Sequence, residues 1–264
     1  MSRVWAGLIT VLALAIGAPN ASATAFFTGT SSGLSAEAYF TIEGGQLTIL
    51  LTNTDIASGT GKPTASAQVL TGLFFNLGTS TFTPLSATLE AGASIVQDET
   101  CNVGANCSAT QTNVGGEFSY ASGGVDWLTG TTQGLSSSGY LNTNTSAGNF
   151  GGDNLDDPAA IDGANFGIVP DGWAEYGGNN GLDKVALIEG TVKFVLDIPD
   201  TLTEADIKNV YFTYGTSAGE GTVTGETTGG LESGSGVTIP EPALLSLLGI
   251  ALAGAAYRLN RRHQ

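Results

Sequence analysis

Ala36-Glu37-Ala38-Tyr39-Phe40-Thr41-Ile42, then Glu43-Gly44-Gly45, then Gln46-Leu47-Thr48-Ile49-Leu50-Leu51-Thr52, is the stretch that decides the fold. Ala36, Ala38, Phe40 and Ile42 fall on one face of an extended chain, while Glu37, Tyr39 and Thr41 fall on the other, a period of two. After the glycine pair, Leu47, Ile49 and Leu51 alternate with Gln46, Thr48 and Thr52. Two such runs joined by Glu-Gly-Gly form a β-hairpin with one buried face. Such a hairpin needs a second apolar layer, which the rest of the chain must supply.

Further runs repeat the signal. Val69–Leu77 carries Leu73, Phe75 and Leu77 on one side; in 192–198, Val192, Phe194, Leu196 and Ile198 alternate with Lys193, Val195 and Asp197; in 209–214, Val210, Phe212 and Tyr214 share a side. Thr201-Leu202-Thr203-Glu204 has the form of a capping box and predicts one helical turn before Ile207. Residues 97–180 are rich in Gly, Asn, Ser and Thr and predict long loops with short strands at 117–120 and 166–169. Together these elements predict an all-β body, an antiparallel β-sandwich or jelly roll, over residues 24–214. Residues 215–236 hold almost no large apolar side chain and predict a flexible Gly/Thr/Ser-rich linker.

The chain has 264 residues. Residues 24–239 contain four Lys, no Arg and 23 Asp and Glu, a net charge of −19. Such a field repels nucleic acid and anionic lipid, and favours cations, neutral glycans or basic surfaces. Only 12% of the residues are charged and 41% are hydrophobic, too apolar for a disordered acidic chain. The sole histidine is His263, at the far end. A body without imidazole lacks the usual general base and metal ligand of neutral-pH enzymes, and no enzymatic activity is expected.

Both ends carry targeting features. Arg3 precedes an apolar run from Val4 to Ala18, followed by Ala21-Ser22-Ala23. A positive start, a run too short for a membrane span and a small-residue cleavage site predict a signal peptide over residues 1–23, with export through the Sec machinery. At the other end, over residues 237–264, Pro240-Glu241-Pro242 breaks the chain before an uncharged apolar run from Ala243 to Ala256. Arg258, Arg261 and Arg262 follow, a basic tail that belongs on the cytoplasmic side and puts the body outside.

Pro-Glu-Pro, a short apolar helix and an Arg-rich end resemble the PEP-CTERM sorting signal of Gram-negative bacteria. The resemblance covers about the last 28 residues. It implies recognition by an exosortase, a membrane-embedded cysteine protease or transpeptidase, with cleavage near Pro240-Glu241-Pro242. It also implies an inner-membrane intermediate, a cell-surface or extracellular product, and association with exopolysaccharide and biofilm. The run Val210-Tyr-Phe-Thr-Tyr-Gly-Thr216 is similar to a strand that often precedes the linker in that group. The implied role is structural or adhesive. A lectin-like glycan-binding module, with or without dependence on Ca²⁺, and more remotely a polysaccharide hydrolase, are the alternatives.

Candidate sites follow from this address. Cys101 and Cys107 enclose five residues, and an oxidising compartment predicts a disulfide between them. Asp153, Asp156, Asp157 and Asp162 concentrate carboxylates among turn residues, which suits a Ca²⁺ site and equally suits solvated turns. Gly215-Thr-Ser217-Ala-Gly219 matches the spacing of a hydrolase nucleophile elbow, but it lacks a helical continuation and a histidine partner in the body. Trp127, Trp173, Tyr140 and Tyr176 are candidates for stacking on sugar rings, or for the core. Two carboxylates at a fixed separation would be needed for glycoside hydrolysis, and nothing in the sequence singles out a pair.

Overall fold

The structure is a computed structural model that describes residues 24–54, 66–96, 112–123, 125, 127–138, 153–156, 165–173, 182, 186–215 and 220–227. All of these belong to a compact unit spanning Met1–Leu231.

Ala38, Phe40, Leu47 and Ile49 are fully buried, as the period of two requires. They belong to strands β2 (Leu34–Glu43) and β3 (Gln46–Asn53), which pair antiparallel with Glu43 opposite Gln46. Gly44 and Gly45 close the turn with φ of 58° and 76°, the doubly left-handed geometry that two-residue hairpins prefer and that only residues such as glycine adopt cheaply. Before them runs β1 (Thr24–Ser31). After them come β4 (Leu70–Asn76), β5 (Thr83–Leu89), β6 (Ser94–Val96), β7 (Ser119–Ser122) and β8 (Gln133–Ser136). The chain continues through β9 (Asp153–Asn154), β10 (Ile168–Val169), β11 (Leu187–Glu189), β12 (Thr191–Asp197), β13 (Lys208–Tyr214) and β14 (Gly221–Thr227).

The protein is all-β. Its strands run in the order β5-β12-β3-β2-β1-β14-β13-β4-β10-β11-β6, with β8 also on β4, β7 on β8 and β9 on β7. Among the described residues every ladder is antiparallel except β10 with β11, so the sheet is mixed rather than purely antiparallel. That parallel contact is two residue pairs long.

Two layers pack face to face. Phe40 on β2 meets Phe75 on β4 edge to face at 5.2 Å, and Phe118 meets Phe194 on β12 at 5.0 Å. Leu47, Ile49, Val192 and Leu196 from one layer share a core with Leu73, Val210, Phe212 and Tyr214 from the other. Each such side chain, fully buried, contributes roughly 1.5–3 kcal/mol of transfer free energy. Strands β1 and β14 join the layers along one side, through Phe27 opposite Thr227 and Thr28 opposite Glu226.

Strand β14 corrects the domain boundaries. Residues 221–227 fall in the stretch expected to be a flexible linker, yet they pair with β13 from Val210 to Tyr214 and with β1. Val223 alone reaches the core. Main-chain hydrogen bonding to a strand on each side replaces the missing apolar side chains. Gly29 makes the fit possible: a Cβ there would lie 2.8 Å from Thr224 O and 2.8 Å from Val223 Cγ1. The body therefore reaches Thr227 instead of ending at 214. Residues 228–236 of the expected linker, the signal segment 1–23 and the sorting segment 237–264 lie outside the described residues.

Two smaller expectations change. The capping box forms at Thr203 and Asp206, not at Thr201 and Glu204: Thr203 N–H and Oγ1–H both donate to Asp206 Oδ2, at 3.0 and 2.9 Å. Glu204 is buried and accepts the Ile42 N–H at 2.7 Å, which ties the 3₁₀ turn Glu204–Asp206 to the hairpin. In the middle of the chain, Glu117 sits in a 3₁₀ turn and the strand begins at Ser119. Phe166 precedes β10, buried and with φ of 54°.

Candidate functional site

The inward residues of β1, β2, β3 and β12 build the core, so the alternate residues form an outward face. Register fixes its rows. Phe26, Tyr39, Leu50, Lys193 and Thr88 lie side by side across β1, β2, β3, β12 and β5. On one side of that row lie Thr28, Glu37, Thr52 and Thr191, and on the other Thr24, Thr41, Thr48 and Val195.

Hydroxyl pairs link neighbouring strands on this face: Thr52 with Thr191 at 2.8 Å, Ser35 with Thr54 at 2.9 Å, Thr30 with Ser35 at 3.2 Å and Thr24 with Thr41 at 3.4 Å. Threonine suits this position because its branched Cβ packs on the pleat while its hydroxyl faces water. In the middle, Phe26 and Tyr39 stack with ring centroids 4.2 Å apart and planes 21° from parallel. Tyr39 keeps 38% of its surface in solvent. Burial against its neighbours raises the Tyr39 phenol above its ordinary value, and the Glu37 carboxylate raises it further. The phenol is neutral at physiological pH, an amphipathic ring with a polar edge. Lys193 reaches Glu90 at 3.9 Å, an exposed ion pair of little energetic weight.

The residues singled out from sequence are distributed differently. Asp153 lies in β9, paired with Tyr120 of β7. The Asp156 carboxylate accepts the Asn113 amide at 2.5 Å, and the Asn154 amide donates to the Asp156 carbonyl. Leu155 N–H bonds the carbonyls of Gly115 and Phe118, both at 3.0 Å. Asp156 thus works as a turn residue that pins β9 beside the 115–117 turn. Asp157 and Asp162 lie outside the described residues, as do Cys101, Cys107, Tyr140, Tyr176, Pro240, Glu241, Pro242, Arg258, Arg261 and Arg262. Among the described residues no three His, Cys, Asp or Glu gather as a metal site, and no helix is long and apolar enough to cross a membrane.

Of the two described tryptophans one is buried and the other partly buried. Trp173 is buried with Val69, Val169, Leu182 and Leu187, and Trp127 lies edge to face on Phe74 at 5.4 Å. Among the described residues the exposed aromatic ring is Tyr39 instead, stacked on the partly buried Phe26. Tyr39 was legible as an outward residue from the alternation of 36–42. Phe26 was not, because β1 packs its two Phe residues in adjacent positions and offers a weak pattern. Downstream of Gly215, φ 106°, strand β14 takes the place where a nucleophile elbow needs a helix.

One buried polar network stands behind the second layer. Tyr120 Oη donates to Gln133 Oε1 at 2.6 Å and accepts the Phe82 N–H at 2.8 Å, while Gln133 Nε2 donates to Ser80 O at 3.0 Å. Beside it Ser136 Oγ–H donates to Thr71 O at 2.8 Å and Ser119 Oγ–H to Ser136 O at 3.2 Å. These groups are occupied by one another and bind loops to strands. No family model, curated protein or solved structure matches this chain.

Proposed function

We propose that this is an exported surface or extracellular-matrix protein of a Gram-negative bacterium that acts by holding exopolysaccharide, without catalysing a reaction. Its address rests on the two ends of the sequence: the signal segment 1–23, and Pro240-Glu241-Pro242 with the apolar run and basic tail that follow. Its mode of action rests on one observation, the exposed Tyr39 ring stacked on the partly buried Phe26 within rows of hydroxyls. Sugars present alternating C–H faces and hydroxyl edges. An aromatic ring covers the first, and threonine hydroxyls exchange hydrogen bonds with the second. A broad open face contacts an extended polymer along its length, the geometry of adhesion.

The intact mass of the protein recovered from cells and from the medium tests the address. Loss of the residues after about 240 supports exosortase processing; a full-length C-terminus on the surface rejects it. Fractionation of the matrix tests the role. The protein is expected with the polysaccharide, and release from it by buffer exchange alone speaks against holding.

A further inference from the structure

We infer that the open face of β1, β2, β3 and β12 takes a linear polysaccharide carrying protonated amino sugars, an inference that rests on the polysaccharide-holding role proposed above. Charge selects the ligand. Glu37 precedes Tyr39 on the same face of β2 at a spacing of about 7 Å, two residues along the strand. Glu226 of β14 stands opposite Thr28, which itself stands opposite Glu37, so two carboxylates border the aromatic row on one side. On the other side, beyond Thr41 and Thr48, Glu43 and Asp197 flank Gln46 in register. Lys193, the cation of the face, lies 3.9 Å from Glu90, and the four bordering carboxylates outnumber it.

An acidic polymer is repelled by this border. A neutral polymer gains ring stacking and hydroxyl contacts only. A polymer with ammonium groups gains these and ion pairing as well, because the outer faces of the stacked rings attract cations and Glu37 lies about 7 Å along the strand from Tyr39. Each exposed ion pair is individually weak. A repeating polymer makes many at once, and the linked contacts multiply.

The test uses the full chain produced in an exporting host, co-sedimented with chitosan, with its N-acetylated counterpart chitin, and with alginate, an acidic polymer. Chitosan is expected to bind, chitin about tenfold more weakly as the cation–aromatic and carboxylate contacts vanish, and alginate not at all. Tyr39→Ala and Phe26→Ala leave the net charge unchanged and are expected to weaken chitosan binding about tenfold while lowering the melting temperature by no more than the loss of one cross-strand aromatic pair, so that both variants remain folded at the assay temperature. Glu37→Gln with Glu43→Gln is expected to remove the preference for chitosan over chitin. If both aromatic variants bind chitosan like the parent, the attraction is diffuse charge on an acidic body and the face is not the site. Equal binding of chitosan and chitin overturns the amine requirement while leaving a glycan-holding face. Failure to bind any of the polymers overturns this inference, whereas the matrix role is decided separately by where the protein fractionates in its own cells.

Discussion

Tyr120 on β7 and Gln133 on β8 sit diagonally across their ladder and share a buried hydrogen bond of 2.6 Å from phenol to amide oxygen. Through it the loop before β5 is held: Phe82 N–H bonds the same phenol, and the Gln133 amide bonds Gly78 O and Ser80 O. Tyr120→Phe leaves both the Phe82 N–H and Gln133 Oε1 without their partner. The expected cost is about 1–3 kcal/mol, read as a lower denaturation midpoint with an unchanged denaturant slope. An unchanged midpoint would show that water enters and replaces the phenol.

The same phenol sets an alkaline limit. Burial raises Tyr120 above its ordinary 10.0, and the Phe82 N–H that favours the ionised oxygen offsets this in part. A raised folded value means that the fold holds the proton more tightly than the unfolded chain does. Its contribution is complete below pH 10.0 and is lost as pH rises through the higher folded value. Stability measured by urea titration should therefore fall above about pH 10, and less steeply in Tyr120→Phe.

Asp206 sets a smaller, opposite dependence. Its carboxyl is lowered below 3.8, first by the Thr203 N–H and then by the Thr203 hydroxyl. The contribution is present above 3.8 and disappears as pH falls through the lower folded value. Thr203→Val removes the hydroxyl but keeps the N–H. The Asp206 carboxyl, followed by NMR titration, should move part of the way back up, and a titration curve that does not move would show that the hydroxyl bond is absent in solution.

Gly29 is the contact point of β1 with the β13–β14 pair. Gly29→Val places carbon where Thr224 O, Val223 Cγ1 and Phe212 already lie within 2.9 Å. The expected loss is about 1–3 kcal/mol from overpacking, or more if β14 detaches. Thermal unfolding of the variant, compared with that of Gly33→Ala, where nothing lies within 4 Å, separates steric from conformational cost.

The extent of the body is tested by length. A chain ending at 219 lacks β14 and leaves β1 and β13 with open edges, and it should lose cooperative unfolding or aggregate. A chain ending at 230 keeps every described strand and should unfold like the parent. If the two melt alike, 215–236 behaves as the linker its composition suggests.

Amphipathic strands were readable from sequence because a period of two needs only the local chain: β2, β3, β12 and β13 emerge within one or two residues of their bounds, as does the glycine-pair turn. β1, β5 and β14 did not. Phe26-Phe27 breaks the alternation, β5 exposes Leu85 while burying the small Ala87, and β14 carries one core side chain. Their strand state comes from partners elsewhere in the chain, through main-chain hydrogen bonds that any residue but proline supplies.

The candidate site divides in the same way. Composition, charge and the two ends are properties of the linear chain, and by themselves they determined an acidic all-β body and the expectation of export. That Tyr39 faces outward was also local. That Phe26 lies flat on it, that Glu37, Glu43, Asp197 and Glu226 border the pair, that Trp173 is buried and that Trp127 packs on Phe74 were decided only by tertiary structure. Register between strands distant in sequence chooses which side chains become neighbours, and packing of the second layer chooses which aromatic residues remain in water.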